Sequence, residues 1–276
     1  MAHVTKIYGP PGTGKTTRLL QIVEHEMKVN GVKREGIAYI SHTRAANDVI
    51  LERMQAAGLV GNNPRRDAPW FRTIHAVCSR LLGMGRAIID ERTDYPKFSQ
   101  EYHMTLTPKG VVDVMESLQD VEEVDFSVVL GVRSLSANTM RDFDDVCAEQ
   151  PLHVCLGRQT RELFLKNWTE FKARHGKFDF TDMLQMYADV GGPPLPCGVV
   201  IIDEAQDLSD LQWKIVEMLT QLATRIYIAG DDDQAVYGFI GGSEFGFYRY
   251  PADEEIVLEQ SYRVPRAIGE CATQII

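Results

Sequence analysis

The stretch "GPPGTGKT", Gly9–Thr16, stands between an apolar run, "HVTKIYG" (His3–Gly9), and a helical pattern, "GKTTRLLQIVEHEMK", with Leu19, Ile22, Val23 and Met27 at helical spacing. It matches G-x-x-x-x-G-K-[ST] in full, in the strand–loop–helix setting that the motif requires. Gly9, Gly12 and Gly14 let backbone N–H groups of the loop close around phosphate oxygens. The start of the following helix adds partial positive charge. Lys15 then neutralises the β and γ phosphates of a nucleotide such as ATP, and Thr16 ligates Mg²⁺. A ligand-free Gly/Pro turn is the bland alternative, and the flanking strand and helix argue against it.

Working outward, further short apolar runs appear: "GIAYIS" (Gly36–Ser41), "GVVIID" (Gly198–Asp203), "RIYIAGD" (Arg225–Asp231) and "EIVLEQ" (Glu255–Gln260). Between them lie helical patterns, "TRAANDVILERMQAAG" and "DLQWKIVEMLTQLA". Strands alternating with helices predict an α/β domain with a mostly parallel sheet. The run "VVIIDEAQD" (Val199–Asp207) carries the second half of a hydrolytic site. A buried strand ending in Asp203 holds an acid beside a metal, and Glu204 can take a proton from an attacking water. Together the two stretches predict a nucleoside triphosphatase of the P-loop class.

The middle, about residues 84–168, reads as a largely helical insertion between two halves of the α/β core. "TPKGVVDVMESLQDVEEV" opens on a helix start, and its acids read as a solvated face. "FSVVLGVRSLSANTMRDF" (Phe126–Phe143) reads as looser and linker-like.

At 276 residues and a net charge of -10, the chain is long enough for a sizeable core and is no bulk electrostatic binder of nucleic acid, although a local basic groove is compatible with that balance. Five scattered cysteines form no CxxC pair, which points to reduced thiols rather than zinc or disulfides. With no signal-peptide pattern and no membrane-length apolar run, the expectation is a soluble, cytoplasmic protein with no membrane partner.

The remaining motifs carry a resemblance. "DEAQDLSDLQWKIVEML", then "IAGDDDQAVYGFIGGS", then "LEQSYR", preceded by "ISHTRAANDVILERM", "TIHAVCSRLLG" and "FDFTDML", resemble in order the motifs of the UvrD/Rep group of superfamily 1 DNA helicases. The resemblance covers nearly the whole chain, the middle insertion excepted. It implies a RecA-like motor domain 1A over residues 1–83 and 169–256, a 1B-like insertion over 84–168, and the start of a second motor domain, 2A, over 257–276. It also implies roles. Gly9, Pro10, Pro11, Gly12, Thr13, Gly14, Lys15, Thr16, Thr17 and Arg18 bind nucleotide; Thr16 and Asp203 hold Mg²⁺; Glu204 activates water. Gln234 senses the γ-phosphate, Tyr262 stacks on the nucleotide base, and Arg263 acts as an arginine finger. His42, Thr43, Arg44, Thr73, His75, Tyr237 and Phe239 contact single-stranded DNA. Stacking on aromatics tolerates any base sequence, as a motor on a single strand or a junction requires.

The resemblance implies ATP-driven movement on single-stranded DNA, 3′ to 5′, with replication or repair proteins as partners. A nucleotide-switched clamp and the motor portion of a helicase–nuclease are the competing readings. Three departures stand out. The segment that reads adenine in the family is absent before the P-loop, Phe239-Ile240 stands where the family has Trp-Arg, and the chain stops at Ile276 soon after "LEQSYR". The last leads to the expectation of a helicase's front portion, from a fragment or a truncated gene product. Within "IAGDDDQ", Gly230 is expected to let the strand end turn sharply, and one or more of Asp231–Asp233 to cap that turn or meet basic groups.

Overall fold

A computed structural model describes residues 2–10, 12–108, 125–150, 156–231, 246–258 and 261. Six strands form one sheet: β1 (His3–Tyr8), β2 (Ile37–Ser41), β3 (Phe71–Thr73), β4 (Val199–Ile202), β5 (Arg225–Gly230) and β6 (Glu254–Val257). Their order is β3-β2-β4-β5-β1-β6, and every pairing is parallel. The helices, in chain order, are α1 (Lys15–Lys28), α2 (Arg44–Ala56), α3 (Pro64–Asp67), α4 (Ile74–Leu81), α5 (Glu91–Tyr102), α6 (Ser127–Thr139), α7 (Phe143–Glu149), α8 (Arg158–His175), α9 (Phe180–Asp189), α10 (Asp210–Leu219) and α11 (Gly246–Arg249).

The central strands are apolar on both sides because helices cover both sides. Ile37, Tyr39, Val199 and Ile201 pack with Leu19 and Val23 of α1 and Ile50 and Met54 of α2. Their neighbours in sequence, Ala38, Ile40, Val200 and Ile202, face the other way, onto Val77 of α4, Leu184 and Tyr187 of α9 and Ile215 and Leu219 of α10. The period-two alternation of a strand thus serves two cores. The expected α/β fold class, a mostly parallel sheet with helices on both faces, is the observed one.

A separate aromatic cluster, with Phe98, Phe126, Phe164, Trp168 and Phe171, joins α5 to α8. α6 packs on both α9 and α10, so the helical segment rests on one face of the α/β core. Residue 168, the segment's last by its sequence pattern, falls inside α8, and Phe171 beyond it belongs to the same aromatic cluster.

Two local expectations need correction. Phe126–Phe143 is not a linker: α6 and the start of α7 occupy it, with Val128, Val129 and Val132 buried. β-branched residues weaken intrinsic helix propensity, but burial of the valine face outweighs that preference. β3, three residues long, is not visible in the sequence because so short a strand has no periodicity to read. The pattern over residues 109–124 lies outside the described residues. Among the described residues, no helix is long and apolar enough to cross a membrane.

Candidate functional site: a phosphate cradle and a cationic cavity on one sheet edge

All strands run in the same direction, so the turns leaving β1, β2, β3, β4 and β5 gather at the carboxyl edge of the sheet, where ligands of open α/β sheets bind. β1 leads into the Gly9–Thr16 loop. Gly12 and Gly14 have φ of 77° and 87°, left-handed values that a side chain would strain. Gly14 is the N-cap of the 14-residue α1, whose first turn holds no acid, so the positive end of the helix is left for an anion. The Thr13 hydroxyl donates to the Pro10 carbonyl at 2.8 Å, bracing the loop. Lys15 is only 8% exposed, and its ammonium donates to the Gly9 carbonyl at 2.5 Å. Thr16 is half-buried, while Thr17 and Arg18 are exposed, with Arg18 reaching Gln21 of its own helix.

β4 delivers the acids. Asp203 is 2% exposed; Tyr39 Oη donates to its Oδ2, and the Glu204 N–H donates to Oδ1 at 3.0 Å. Burial pushes its carboxyl up to about 6, against the opposing pull of the Tyr39 hydrogen bond and Lys15. Glu204 has a φ of 53°, rare for a residue with a side chain and a form of backbone strain that gathers at functional sites. Its Oε2 accepts from Gln206 Nε2 at 2.9 Å. Asp207, next on the turn, is likewise raised to about 6 by burial and by Glu204. A buried lysine, an acid pair with Glu204 strained, and the start of a helix free of acids suit a triphosphate with a divalent ion. Thr16 and Asp203 are the oxygen donors at hand for that ion.

Gln206 carries no motif role in the sequence, yet it links two turns of the site. Besides holding Glu204, its Oε1 accepts the N–H of Asp231 at 3.0 Å, tying the β4 turn to the exit of β5. Gly230 ends β5 with a φ that is not positive, and the residues directly after Asp231, where the expected sharp turn falls, lie outside the described residues. Gly230 provides close approach: a Cβ there would stand 3.1 Å from Gln206 Oε1 and from the Phe247 ring. Asp231 itself is 2% exposed. Pro11, Asp232, Asp233, Gln234, Tyr237, Phe239, Tyr262 and Arg263 lie outside the described residues.

On the β2–β3 side of the same edge, Thr43 and Thr73 cap α2 and α4, accepting from the N–H groups of Ala46 and Ala76. Asn47 braces the first turn through Ser41 Oγ at 2.6 Å. A cavity of about 780 Å³ opens there, lined in part by His42, Arg44, Thr73 and His75; Thr43 is not among its lining residues. Burial lowers His42 and, with the charges of His42 and Arg44, takes His75 down to about 4, so His75 is neutral at neutral pH. The same cavity is lined by Arg72, Arg80 and Phe180. In the sequence Arg72 and Arg80, with Arg44, Arg65 and Arg66, lie in or between the two motifs that the resemblance places on the DNA side, where they read either as a basic groove lining or as ordinary surface charge. Phe180 stands only as part of "FDFTDML".

The model of the UvrD/REP helicase N-terminal domain family matches residues 1–253. The chain is 26% identical over 277 residues to a protein of Leuconostoc citreum named ATP-dependent DNA helicase PcrA, covering 96% of this chain and 36% of that protein. It is 24% identical over 287 residues to the DNA helicase II of Haemophilus influenzae, covering 96% of this chain and 37% of that protein. To the ATP-dependent DNA helicase PcrA of Staphylococcus aureus it is 23% identical over 290 residues, covering 96% and 37%. The chain therefore spans a little over a third of the length of these relatives.

Proposed function

The chain belongs to the UvrD/REP helicase family, whose N-terminal domain it carries over residues 1–253, and from that premise we propose that it is the ATP-hydrolysing, strand-binding front part of an ATP-dependent DNA helicase. The observation that carries this reading is the shared sheet edge: the phosphate loop after β1, the acids after β4 and the cationic cavity after β2 and β3 lie at one end of one sheet. Hydrolysis at one place can thereby be felt at the other through strands and short turns.

In this reading the loop Gly9–Thr16 binds the triphosphate of ATP, Lys15 neutralises its outer phosphates, and Thr17 and Arg18 border it. Thr16 and Asp203 hold Mg²⁺, which supplies positive charge against the phosphate oxygens. Glu204, strained and steadied by Gln206, takes the proton of the attacking water. His42, Thr43, Arg44, Thr73 and His75 form the face over which a single DNA strand passes, with Thr43 acting through the cap of α2. The roles of Gln234, Arg263 and Tyr262 at the nucleotide, and of Tyr237 and Phe239 under the bases, rest on the family resemblance. The α/β core corresponds to motor domain 1A; the helical segment, extended to the end of α8, corresponds to the 1B-like insertion; the last residues begin domain 2A. Movement from 3′ to 5′ and replication or repair partners belong to the same reading.

The test is nucleotide turnover with and without single-stranded DNA. The expected result is an ATPase stimulated by the strand, lost in Lys15→Ala together with nucleotide binding. In Glu204→Gln, turnover falls by about 10²- to 10⁴-fold while nucleotide binding remains. DNA affinity that depends on nucleotide without any turnover would indicate a clamp and overturn the motor reading.

A further inference from the structure

β2 carries a phenol where its neighbours Ile37, Ala38 and Ile40 are apolar. In the sequence Tyr39 sits inside the run "GIAYIS" and reads as a strand residue like the rest. It is fully buried, in the core that Ile37, Val199 and Ile201 share with α1 and α2. Its ring stacks on Phe71 of β3, with centres 5.5 Å apart and planes 12° from parallel. A phenylalanine would serve that packing equally well. A hydroxyl buried among apolar groups needs a partner, and the partner shows what it is for. Among the described residues that partner is a carboxylate of the hydrolytic site: Tyr39 Oη donates to Asp203 Oδ2.

The hydroxyl completes the fixing of that acid. The Asp203 N–H donates to the Ile40 carbonyl of β2 at 2.8 Å, so the backbone of the acid is anchored to the strand that carries Tyr39. Oδ1 accepts from the Glu204 N–H at 3.0 Å, and Oδ2 accepts from Tyr39. Both oxygens are thereby oriented. Each has two acceptor sites, so one donor on each still leaves a site for an ion or its water. Hydrogen-bond partners of this kind set the direction of a metal-binding carboxylate. The chain contains a second phenol–carboxylate pair, Tyr227 to Glu26 at 2.8 Å, but it lies in the last turn of α1, at the other end of that helix from the phosphate loop.

We propose that Tyr39 is a positioning residue of the hydrolytic site, its hydroxyl orienting the Asp203 carboxylate to receive Mg²⁺ together with the nucleotide. This rests on the reading that Thr16 and Asp203 hold that ion, and it adds a residue from β2 that neither the phosphate loop nor the β4 turn contains.

The test separates nucleotide binding from metal binding, without turnover. The 276-residue chain is titrated with the fluorescent mant derivative of AMPPNP, which is not hydrolysed, first in EDTA and then at increasing MgCl₂. The wild-type chain is expected to bind more tightly as Mg²⁺ rises, with a defined midpoint. Tyr39→Phe keeps the stacked ring and loses only the hydroxyl. It is expected to raise the Mg²⁺ midpoint by about 10- to 100-fold while affinity in EDTA stays as in wild type. Mn²⁺ in place of Mg²⁺, followed by loss of the paramagnetic resonance signal of the free ion, should show the same shift. Tyr227→Phe should keep the wild-type midpoint. In an Asp203→Asn background, Tyr39→Phe should add no further shift, because the hydroxyl acts through that carboxylate. An unmoved midpoint in Tyr39→Phe, equal weakening with and without Mg²⁺, or additive shifts in the double variant overturns the positioning role. A wild-type chain whose nucleotide affinity does not respond to Mg²⁺ overturns the reading of Thr16 and Asp203 as ion ligands, a different result.

Discussion

Gln206 satisfies two groups with one side chain, the Glu204 carboxylate and the Asp231 N–H. A buried N–H left without its acceptor costs about 1–3 kcal/mol. Gln206→Leu is therefore expected to destabilise the chain by about that amount in urea unfolding. It should also lower ATP turnover more than nucleotide affinity, because Glu204 loses its orienting donor. A methyl group on Gly230 would stand 3.1 Å from Gln206 Oε1 and from the Phe247 ring, so both side chains must shift by a few tenths of an ångström to admit it. Gly230→Ala should cost about 1–3 kcal/mol through overpacking, measured in the same way. The residues of the proposed nucleotide site are legible at this scale because the motif and its flanking periodicity coincide in "GPPGTGKT" and "VVIID". Gln206 is not legible, since its role depends on a partner 25 residues away that only strand pairing brings near.

Among the elements, α9 shows how a helix start can be owned by another part of the chain. Asp179 caps it within a capping box with Asp182, and Arg133 and Lys172 from α6 and α8 close on both acids. Burial alone would raise the Asp179 carboxyl, but Arg133 and Lys172 outweigh it and hold it at about 2. A depressed carboxyl contributes stability above its unfolded value, near 3.9, and that contribution is lost as pH falls toward 2. Hydrogen exchange is expected to quicken in α6 and at the start of α9 between about pH 4 and pH 2, ahead of the central strands. Arg133→Ala leaves two acids with one cation and is expected to cost about 3 kcal/mol at neutral pH, seen in urea unfolding. The sequence of α6 reads as a linker because valines, serines and a glycine weaken helix propensity there. Its true state follows from the surface it covers.

For the molecule as a whole, the parallel sheet decides where chemistry can happen. Every crossover returns the chain to the same edge, so a phosphate loop, an acid pair and a cationic cavity far apart in sequence become neighbours at that edge. Net negative charge and a cationic cavity are compatible because charge is distributed unevenly over the surface, and only the cavity gathers Arg44, Arg72 and Arg80. Under the proposed function the 276-residue polypeptide is expected to bind both nucleotide and single-stranded DNA. Equilibrium dialysis with ATP and anisotropy of a labelled oligonucleotide check this, and failure to bind either would refute it.

The sequence by itself determined the α/β class, the phosphate loop and the acids Asp203 and Glu204, because strand and helix periodicity and the chemistry of phosphate binding are local. The tertiary structure decided what local pattern cannot hold. It set Gln206 between two turns, turned the valine-rich "FSVVLGV" into a helix by burying it, and brought Arg72, Arg80 and Phe180 around one cavity. Those outcomes depend on which surfaces meet, and surfaces separated by a hundred residues in sequence meet only in the folded chain.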